Sequence, residues 1–111
     1  MPYKIKSRIW INGANGTFLA EGKRDLLKGI ITTGSISSAA KQMKMFYKKA
    51  WEIIDGMNKE AREPLVIRVS GGKGGGGTVV TAEGLKMISL FESLNDKCKK
   101  YLDKELSKME L

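Results

Sequence analysis

Histidine is absent from this 111-residue chain, and cysteine occurs only once, as Cys98. Without histidine the chain lacks the commonest general base and metal ligand, which excludes Ser-His and Cys-His catalytic pairs. One cysteine can form neither an intrachain disulfide nor a CxxC zinc-ligand pair, so we expect no bound metal and no other cofactor. This cysteine usage fits a reducing compartment best.

Long apolar runs are also missing, and with them the sequence features of a signal peptide or a membrane span. The first residues alternate charged and apolar side chains instead. We therefore predict a cytoplasmic protein that stays where it is made and has no membrane partner. A hydrophobic fraction of 41% and a charged fraction of 29% are typical of one globular domain rather than of a disordered chain.

Acidic residues are scarce relative to basic ones. The chain has 12 Asp and Glu against 20 Lys and Arg, which gives a net charge of +8. Such an excess favours a polyanionic partner, such as DNA, RNA or an anionic lipid surface. Many lysine-rich proteins are simply soluble, however, because net charge bears on non-specific binding and not on fold. Charge alone leaves these alternatives open.

The first part of the chain has the pattern of β structure. Side chains alternate strictly over residues 3–12, as in a half-buried strand. The pairs Asn12-Gly13 and Asn15-Gly16 tolerate turn conformations, and residues 17–19 can return as a second strand. Residues 1–20 are therefore predicted to form a β-hairpin. Trp10, and Trp51 further along, are predicted core residues because aromatic side chains bury large areas.

Three helices are predicted within residues 21–63. The first covers residues 21–32 and ends at Gly34, with apolar residues at helical spacing, namely Leu26, Leu27, Ile30 and Ile31. The second is short: it follows serine N-caps and carries two alanines where another helix can approach closely. The third covers residues 46–60 and has a lysine-rich start and an apolar stripe made of Ala50, Ile54 and Met57.

Residues 64–81 have the pattern of a glycine-tipped hairpin, the wing of the predicted fold. Pro64 ends the third helix, and residues 65–69 and 78–80 are rich in β-branched side chains, so the glycine run between them forms a hairpin tip. That run is not a nucleotide-binding loop, because no Ser or Thr follows Lys73 and no helix begins at once.

The last segment, residues 82–111, has the pattern of one long amphipathic helix. Thr81 can cap it, and its apolar residues recur at steps of three and four, the spacing of a coiled-coil seam. Because such a helix overruns so small a domain, we predict that it joins two chains. The predicted dimerisation residues are Met87, Ile88, Phe91, Leu94, Cys98, Tyr101 and Leu102.

This order of elements predicts an α+β, mainly helical fold: a single winged helix-turn-helix domain over residues 1–111, with an N-terminal β-hairpin and a long C-terminal dimerisation helix. In that plan the third helix enters the major groove of DNA with its N-terminal residues, and the wing contacts the backbone. Lysines cluster at that helix start without an intervening acid. The candidate DNA-binding residues are Ser35, Ser37, Lys41, Lys44, Phe46, Tyr47, Lys48, Lys49, Arg68 and Lys73.

The chain resembles the N-terminal domain of ModE-type molybdate-responsive regulators and, more distantly, the helix-turn-helix of LysR-type regulators. The most specific matches are Tyr47-Lys48-Lys49-Ala50-Trp51 and the glycine run around Lys73, within a likeness that covers most of residues 5–102. The resemblance implies a homodimer joined by terminal helices, with operator DNA as its partner. Lys44 and Phe46 stand where the family pattern usually has glycine and serine.

The family's C-terminal oxyanion-binding domains are missing from the sequence, so we expect a stand-alone regulator and no molybdate binding within this chain. The main alternative is a protein-interaction module on the same scaffold, and Phe46 in place of a polar helix start favours it. An enzyme is the least supported class, because Glu52 and Asp55 lie beside lysines on one helix, where solvated ion pairs explain them. We predict a sequence-specific DNA-binding transcriptional regulator.

Overall fold

A computed structural model of the protein describes residues 2–69 and 77–111. Its elements in chain order are β1 (Ile11–Gly13), β2 (Gly16–Leu19), α1 (Glu21–Thr33), α2 (Ile36–Gln42), α3 (Tyr47–Glu60), β3 (Val66–Val69), β4 (Gly77–Val80) and α4 (Ala82–Ser107). Strand β1 pairs antiparallel with β2, and β3 pairs antiparallel with β4. Helices α1 to α3 followed by the β3–β4 hairpin form a winged helix, so the predicted α+β fold is confirmed.

Helix α1 ends where the sequence predicts. Gly34 adopts a left-handed conformation, with φ of 70°, and its N–H donates to the Ile30 carbonyl oxygen at 2.7 Å. Glycine takes this conformation at little cost because it has no Cβ. Ile30 is buried, but its neighbour Ile31, predicted on the same apolar stripe, is 48% exposed. One further residue turns a helical side chain by about 100°, which carries Ile31 away from the core.

Helices α1 and α2 pack closely because both carry small residues at their contact. Ser35 accepts a hydrogen bond from the Ser38 N–H through its side chain at 3.1 Å, which fixes the start of α2. Ala39 is buried, and a Cβ added at Gly29 of α1 would lie 3.1 Å from the Ala39 Cβ. The predicted close approach at the alanines is therefore confirmed, with α1 as the partner helix.

One hydrophobic core joins every helix. Its buried residues come from β2, all four helices and both wing strands: Leu19, Leu26, Leu27, Ile30, Ile36, Ala39, Ala40, Ala50, Ile54, Met57, Leu65, Val66, Val80, Ile88 and Phe91. The predicted stripe of α3 is confirmed, since Ala50, Ile54 and Met57 are all buried. The opposite side of α3 is thereby left facing solvent.

The base of the wing is fixed to both neighbouring helices. The Asn58 side chain of α3 donates to the Val66 carbonyl oxygen at 2.9 Å and accepts from the N–H of Leu65 at 2.8 Å and of Val66 at 3.2 Å. Thr81 caps α4 by accepting from the Gly84 N–H at 3.1 Å, and its hydroxyl donates to the Pro64 carbonyl oxygen at 2.7 Å. The wing strands therefore leave the core in a defined direction.

The N-terminal hairpin is shorter than the sequence predicts. A strand was predicted over residues 3–12, but β1 covers only Ile11–Gly13, because its partner β2 has just four residues before α1 begins. Within residues 2–69 and 77–111, the residues before β1 have no strand to pair with. The side chains nevertheless alternate between buried and exposed. Ile9 and Ile11 pack against the core, whereas Trp10 between them is 56% exposed. The prediction that Trp10 is a core residue is therefore wrong.

Helix α4 extends well beyond the core. Its 26 residues span about 39 Å, and its predicted start at Ala82 and its cap at Thr81 are confirmed. The radius of gyration is 16.9 Å, whereas a compact domain of this length has roughly 13 Å. Residues near the N-terminus, including Tyr3 and Ile5, lie beside Asp103 and Leu106 near the end of α4. None of the helices described here is long and apolar enough to cross a membrane.

Candidate nucleic-acid interface

The start of α3 faces solvent with a cluster of lysines. Ala50 is buried and fixes the inner side of the helix, so Lys48 and Lys49 lie on its exposed side. Lys41 at the end of α2 and Lys44 in the turn are exposed as well. Within residues 2–69 and 77–111, none of these four lysines forms an ion pair. Their charge is therefore free to meet an external anion.

The turn between α2 and α3 has an unusual residue in its left-handed position. Lys44 has φ of 55°, in a region that costs a residue with a Cβ about 1–2 kcal/mol. Hydrogen bonds hold it there: the Lys44 N–H donates to the Lys41 carbonyl oxygen at 3.1 Å, and the Met45 N–H donates to that of Ala40 at 3.0 Å. The turn thus keeps its geometry without glycine and places an additional cation beside α3.

Phe46 occupies the N-cap position of α3 and is 87% exposed. Its extended backbone, with φ of −68° and ψ of 146°, leads into the helix, but its side chain cannot accept a hydrogen bond from the first turn. The sequence predicted the helix from Phe46, and it begins one residue later, at Tyr47. The first N–H groups of α3 therefore have no side-chain cap, and a phenyl ring projects beside them.

Tyr47, Trp51 and Arg68 form one connected cluster between α3 and β3. The Tyr47 hydroxyl oxygen accepts from the Trp51 Nε1–H at 2.7 Å and from Arg68 Nη2–H at 2.8 Å. The Arg68 guanidinium carbon also lies 4.4 Å from the centre of the Trp51 ring, within the range of a cation–π contact. This cluster ties the wing to the first turns of α3.

A groove runs between the start of α2, the start of α3 and the base of the wing. Its walls are formed by Gly34, Ser35, Ile36, Ser37, Tyr47, Arg68, Val69, Gly77 and Thr78. The Thr78 N–H donates to the Gly34 carbonyl oxygen at 3.0 Å, which holds β4 against the turn before α2. Among the described residues of these walls, Arg68 is the charged one, so this part of the groove is positive.

The ten candidate DNA-binding residues divide into three groups. Eight line the groove or surround the start of α3 with an exposed or partly exposed side chain: Ser37, Lys41, Lys44, Phe46, Tyr47, Lys48, Lys49 and Arg68. Ser35 also lines the groove, but its hydroxyl oxygen is already engaged as the cap of α2. Lys73 lies outside the described residues, as do the glycines around it up to residue 76.

Two further residues belong to this surface although the sequence analysis missed them. Trp51 was predicted only as a core residue; it packs partly against the core, but it also carries Arg68 on its ring. Lys23 of α1 lies near Lys49: burial lowers the pKa of Lys23, and the charge of Lys49 lowers this pKa further, whereas Glu60 raises it. Their sequence positions gave no signal, because both contacts cross between separate elements.

The predicted dimerisation residues separate into a buried and an accessible set. Ile88 and Phe91 are 6% and 0% exposed in the single chain and belong to its core, so they offer no accessible surface there, and their part in a dimer contact stays a prediction. Both side chains lie on the side of α4 that faces α1. The spacing of apolar residues alone could not show which side faces the core. Leu94 and Tyr101 are 45% and 64% exposed, and Leu90, which the prediction omitted, is 40% exposed on the same side of α4. Met87, Cys98 and Leu102 are partly exposed.

The fold and this surface together define a winged helix-turn-helix domain. Its third helix presents cations, unpaired in the part of the chain that the structure describes, at the end that enters the major groove in domains of this class, and its wing lies beside that helix. The geometry of the described residues is therefore that of a nucleic-acid-binding module.

Comparisons with known proteins lead to one group of regulators, although no family model matches the chain. The chain is 43% identical over 101 residues to the molybdenum transport protein ModE of Azotobacter vinelandii, which is 91% of this chain and 37% of that protein. It is 48% identical over 69 residues to the DNA-binding transcriptional dual regulator ModE of Escherichia coli (strain K12), which is 62% of this chain and 26% of that protein.

The transcriptional regulator ModE of Haemophilus influenzae is similar to the same extent, with 45% identity over 69 residues. These similarities confirm the resemblance to ModE-type regulators. The Escherichia coli relative is named as a DNA-binding transcriptional regulator and the Haemophilus influenzae relative as a transcriptional regulator. The chain spans 37% or less of the length of these three relatives.

Proposed function

We propose that residues 1–111 act as one winged-helix domain that binds double-stranded DNA in a sequence-specific manner and regulates transcription as a homodimer. The observation that carries the proposal is the cluster of exposed lysines around the start of α3, which form no ion pair within residues 2–69 and 77–111. Similarity to named DNA-binding regulators supports it. The proposal assigns no molybdate site and no catalytic residue to these 111 residues, and a DNA partner implies the cytoplasm as the site of action.

In the proposed mechanism the start of α3 enters the major groove. Lys48 and Lys49, together with Lys41 and Lys44 before the helix, neutralise phosphates and release counterions, which supplies affinity independent of sequence. Phe46 projects from the same end, where an exposed phenyl ring can contact the methyl group of thymine. Lysines thus supply binding strength, and Phe46 supplies part of the sequence preference.

The proposed dimer uses the side of α4 that the core leaves exposed. Leu90, Leu94 and Tyr101 are separated by four and seven residues, so they share one side of the helix. All three are well exposed in the single chain. Pairing of two such helices would bury this apolar stripe and place two α3 helices at a fixed distance, as two half-sites of an operator require.

The proposal is tested by measuring binding to duplex DNA with Lys48 and Lys49 both changed to alanine. We expect affinity to fall at least tenfold at low salt, because two phosphate contacts are lost, and the slope of log K against log salt to fall by about 2. The matched control changes Lys86 and Lys99, exposed lysines of α4, to alanine, which removes the same charge elsewhere. Equal effects of the two double variants would overturn the assignment of α3 as the DNA-contacting helix.

A protein-interaction module is the second candidate function, because Phe46 is 87% exposed at the tip of α3. An exposed aromatic residue can anchor a protein partner as well as contact a base. Electrophoretic mobility shifts with fragments of the native genome separate the two functions. Retarded fragments at low salt support DNA binding, whereas no retardation of any fragment favours the protein partner.

A further inference from the structure

The two neighbours of the Tyr47 hydroxyl determine whether it donates or accepts hydrogen bonds. It accepts hydrogen bonds from Trp51 at 2.7 Å and from Arg68 at 2.8 Å. Neither an indole N–H nor a guanidinium N–H can accept, so both bonds run towards the tyrosine oxygen. The hydroxyl proton must then point elsewhere, and the described part of the chain gives it no acceptor. Tyr47 is left as a hydrogen-bond donor.

The Arg68 guanidinium is also held in a fixed orientation. Stacking on the Trp51 ring at 4.4 Å fixes its plane, and one Nη2–H is held by Tyr47. Arginine has five N–H donors, so four remain. No carboxylate lies within salt-bridge distance of Arg68 among the residues described. Its charge and its donors are therefore oriented but not neutralised within the described structure.

Both groups face the groove between α2, α3 and the wing. None of the wall residues that the structure describes carries a carboxylate, and Ser37 and Thr78 contribute further hydroxyl groups. A cation and a hydroxyl that can only donate require a partner with negative charge and several acceptor oxygens. The guanine edge also offers two acceptors, N7 and O6, but it is uncharged and lies beside the amino donor of the paired cytosine, whereas a phosphate group is negatively charged and offers acceptors alone.

We propose that this groove binds one backbone phosphate of DNA, with Arg68 and Tyr47 donating to its oxygens and Trp51 acting as the positioning residue for Arg68. The inference rests on the proposed DNA-binding function and specifies one contact within it. Because Tyr47 and Trp51 belong to α3 while Arg68 belongs to β3, this phosphate fixes the wing and α3 in one register on the duplex.

The test measures duplex DNA binding by fluorescence anisotropy over a series of salt concentrations, with folding of each variant checked by circular dichroism. Arg68→Ala is expected to lower the slope of log K against log salt by about 1. Tyr47→Phe is expected to weaken binding about tenfold, since a hydrogen bond to a charged group is lost. An unchanged slope in Arg68→Ala together with an altered base preference would overturn the phosphate assignment.

The positioning role of Trp51 is tested by a double-mutant cycle. Trp51→Leu is expected to weaken binding about two- to fivefold when Arg68 is present and to have no effect in the Arg68→Ala background. Trp51→Phe keeps an aromatic ring under the guanidinium and is expected to retain most of the affinity. Equal losses for Trp51→Leu in both backgrounds would show a structural role and overturn the positioning role.

Failure of this inference is distinguishable from failure of the proposed function. If the unaltered chain binds DNA and the Lys48 and Lys49 double variant weakens that binding, the proposed function stands. Full affinity and full salt slope in Arg68→Ala and Tyr47→Phe then overturn the phosphate site alone. Absence of any binding by the unaltered chain overturns both.

Discussion

The start of α3 and the far end of α4 are equally rich in lysine, but they use the charge differently. At α3 the lysines have no acid in the first turn and no ion pair among the described residues. On α4, Lys100 pairs with Asp96 at 3.0 Å, and Lys108 pairs with Glu105 at 2.8 Å just beyond the helix end. Exposed pairs of this kind contribute little stability but neutralise the surface.

The comparison teaches that the balance of charges, rather than the number of lysines, separates the two regions: residues 41–49 contain no acid, whereas residues 96–110 contain Asp96, Asp103, Glu105 and Glu110. The α3 surface keeps an uncompensated positive field that suits a polyanion. The α4 end combines neutralised charges with exposed Leu94 and Tyr101, which suits a second protein surface. The two helices can also be compared by mutating one asparagine in each, Asn58 in α3 and Asn95 in α4.

The largest expected effect on stability is at Asn58, whose side chain makes three hydrogen bonds with the start of β3. Asn58→Ala leaves the N–H groups of the buried residues Leu65 and Val66 without this partner, so we expect a loss of about 2–3 kcal/mol. Urea unfolding measures it. Glu52→Ala, an exposed change on the same helix, is the control and should shift the free energy of unfolding by less than about 0.5 kcal/mol.

The next effect concerns association of two chains. Leu94→Glu places a charge on the exposed stripe of α4, and we expect the dimer to weaken at least tenfold because that charge would have to be desolvated on pairing. Sedimentation velocity over a range of concentrations measures it. Ser89→Glu adds the same charge at another exposed position of α4. If both variants associate like the unaltered chain, the proposed dimer surface is incorrect.

The smallest effect has the opposite sign. Asn95 is 6% exposed, and its side-chain oxygen has no hydrogen-bond partner in the described structure. An unsatisfied buried acceptor is costly, so Asn95→Leu, which keeps the branched shape of the side chain, is expected to raise the free energy of unfolding by about 1 kcal/mol. Thermal and urea unfolding report this gain. A decrease would mean that Asn95 has a partner, such as a second chain.

Most of the fold was predictable from local patterns. Gly34, Ser35 and Thr81 set the helix ends by short-range capping, and such signals are contained in a few adjacent residues. The extent of β1 was not predictable, because alternation over residues 3–12 says nothing about the length of the partner strand. A strand ends where its partner ends, and that depends on where α1 begins.

The sequence was enough to predict which cations belong to the candidate site, but not how its residues contact one another. Lys48 and Lys49 follow from the helix pattern, since Ala50 must face the core. The contact between Arg68 and Trp51 joins residues from two elements, so no spacing in the sequence indicates it. For the same reason the sequence could not show that Ile88 and Phe91 complete the core of the single chain.

Helix α3 is also held at its far end. The Glu60 carboxylate accepts hydrogen bonds from the N–H groups of Ala14 at 3.0 Å and Asn15 at 2.8 Å, in the turn of the N-terminal hairpin. Together with Asn58 and Tyr47, this gives α3 attachments along its whole length to both hairpins. A helix restrained in this way loses little conformational freedom when it docks, so little binding energy is consumed in ordering it.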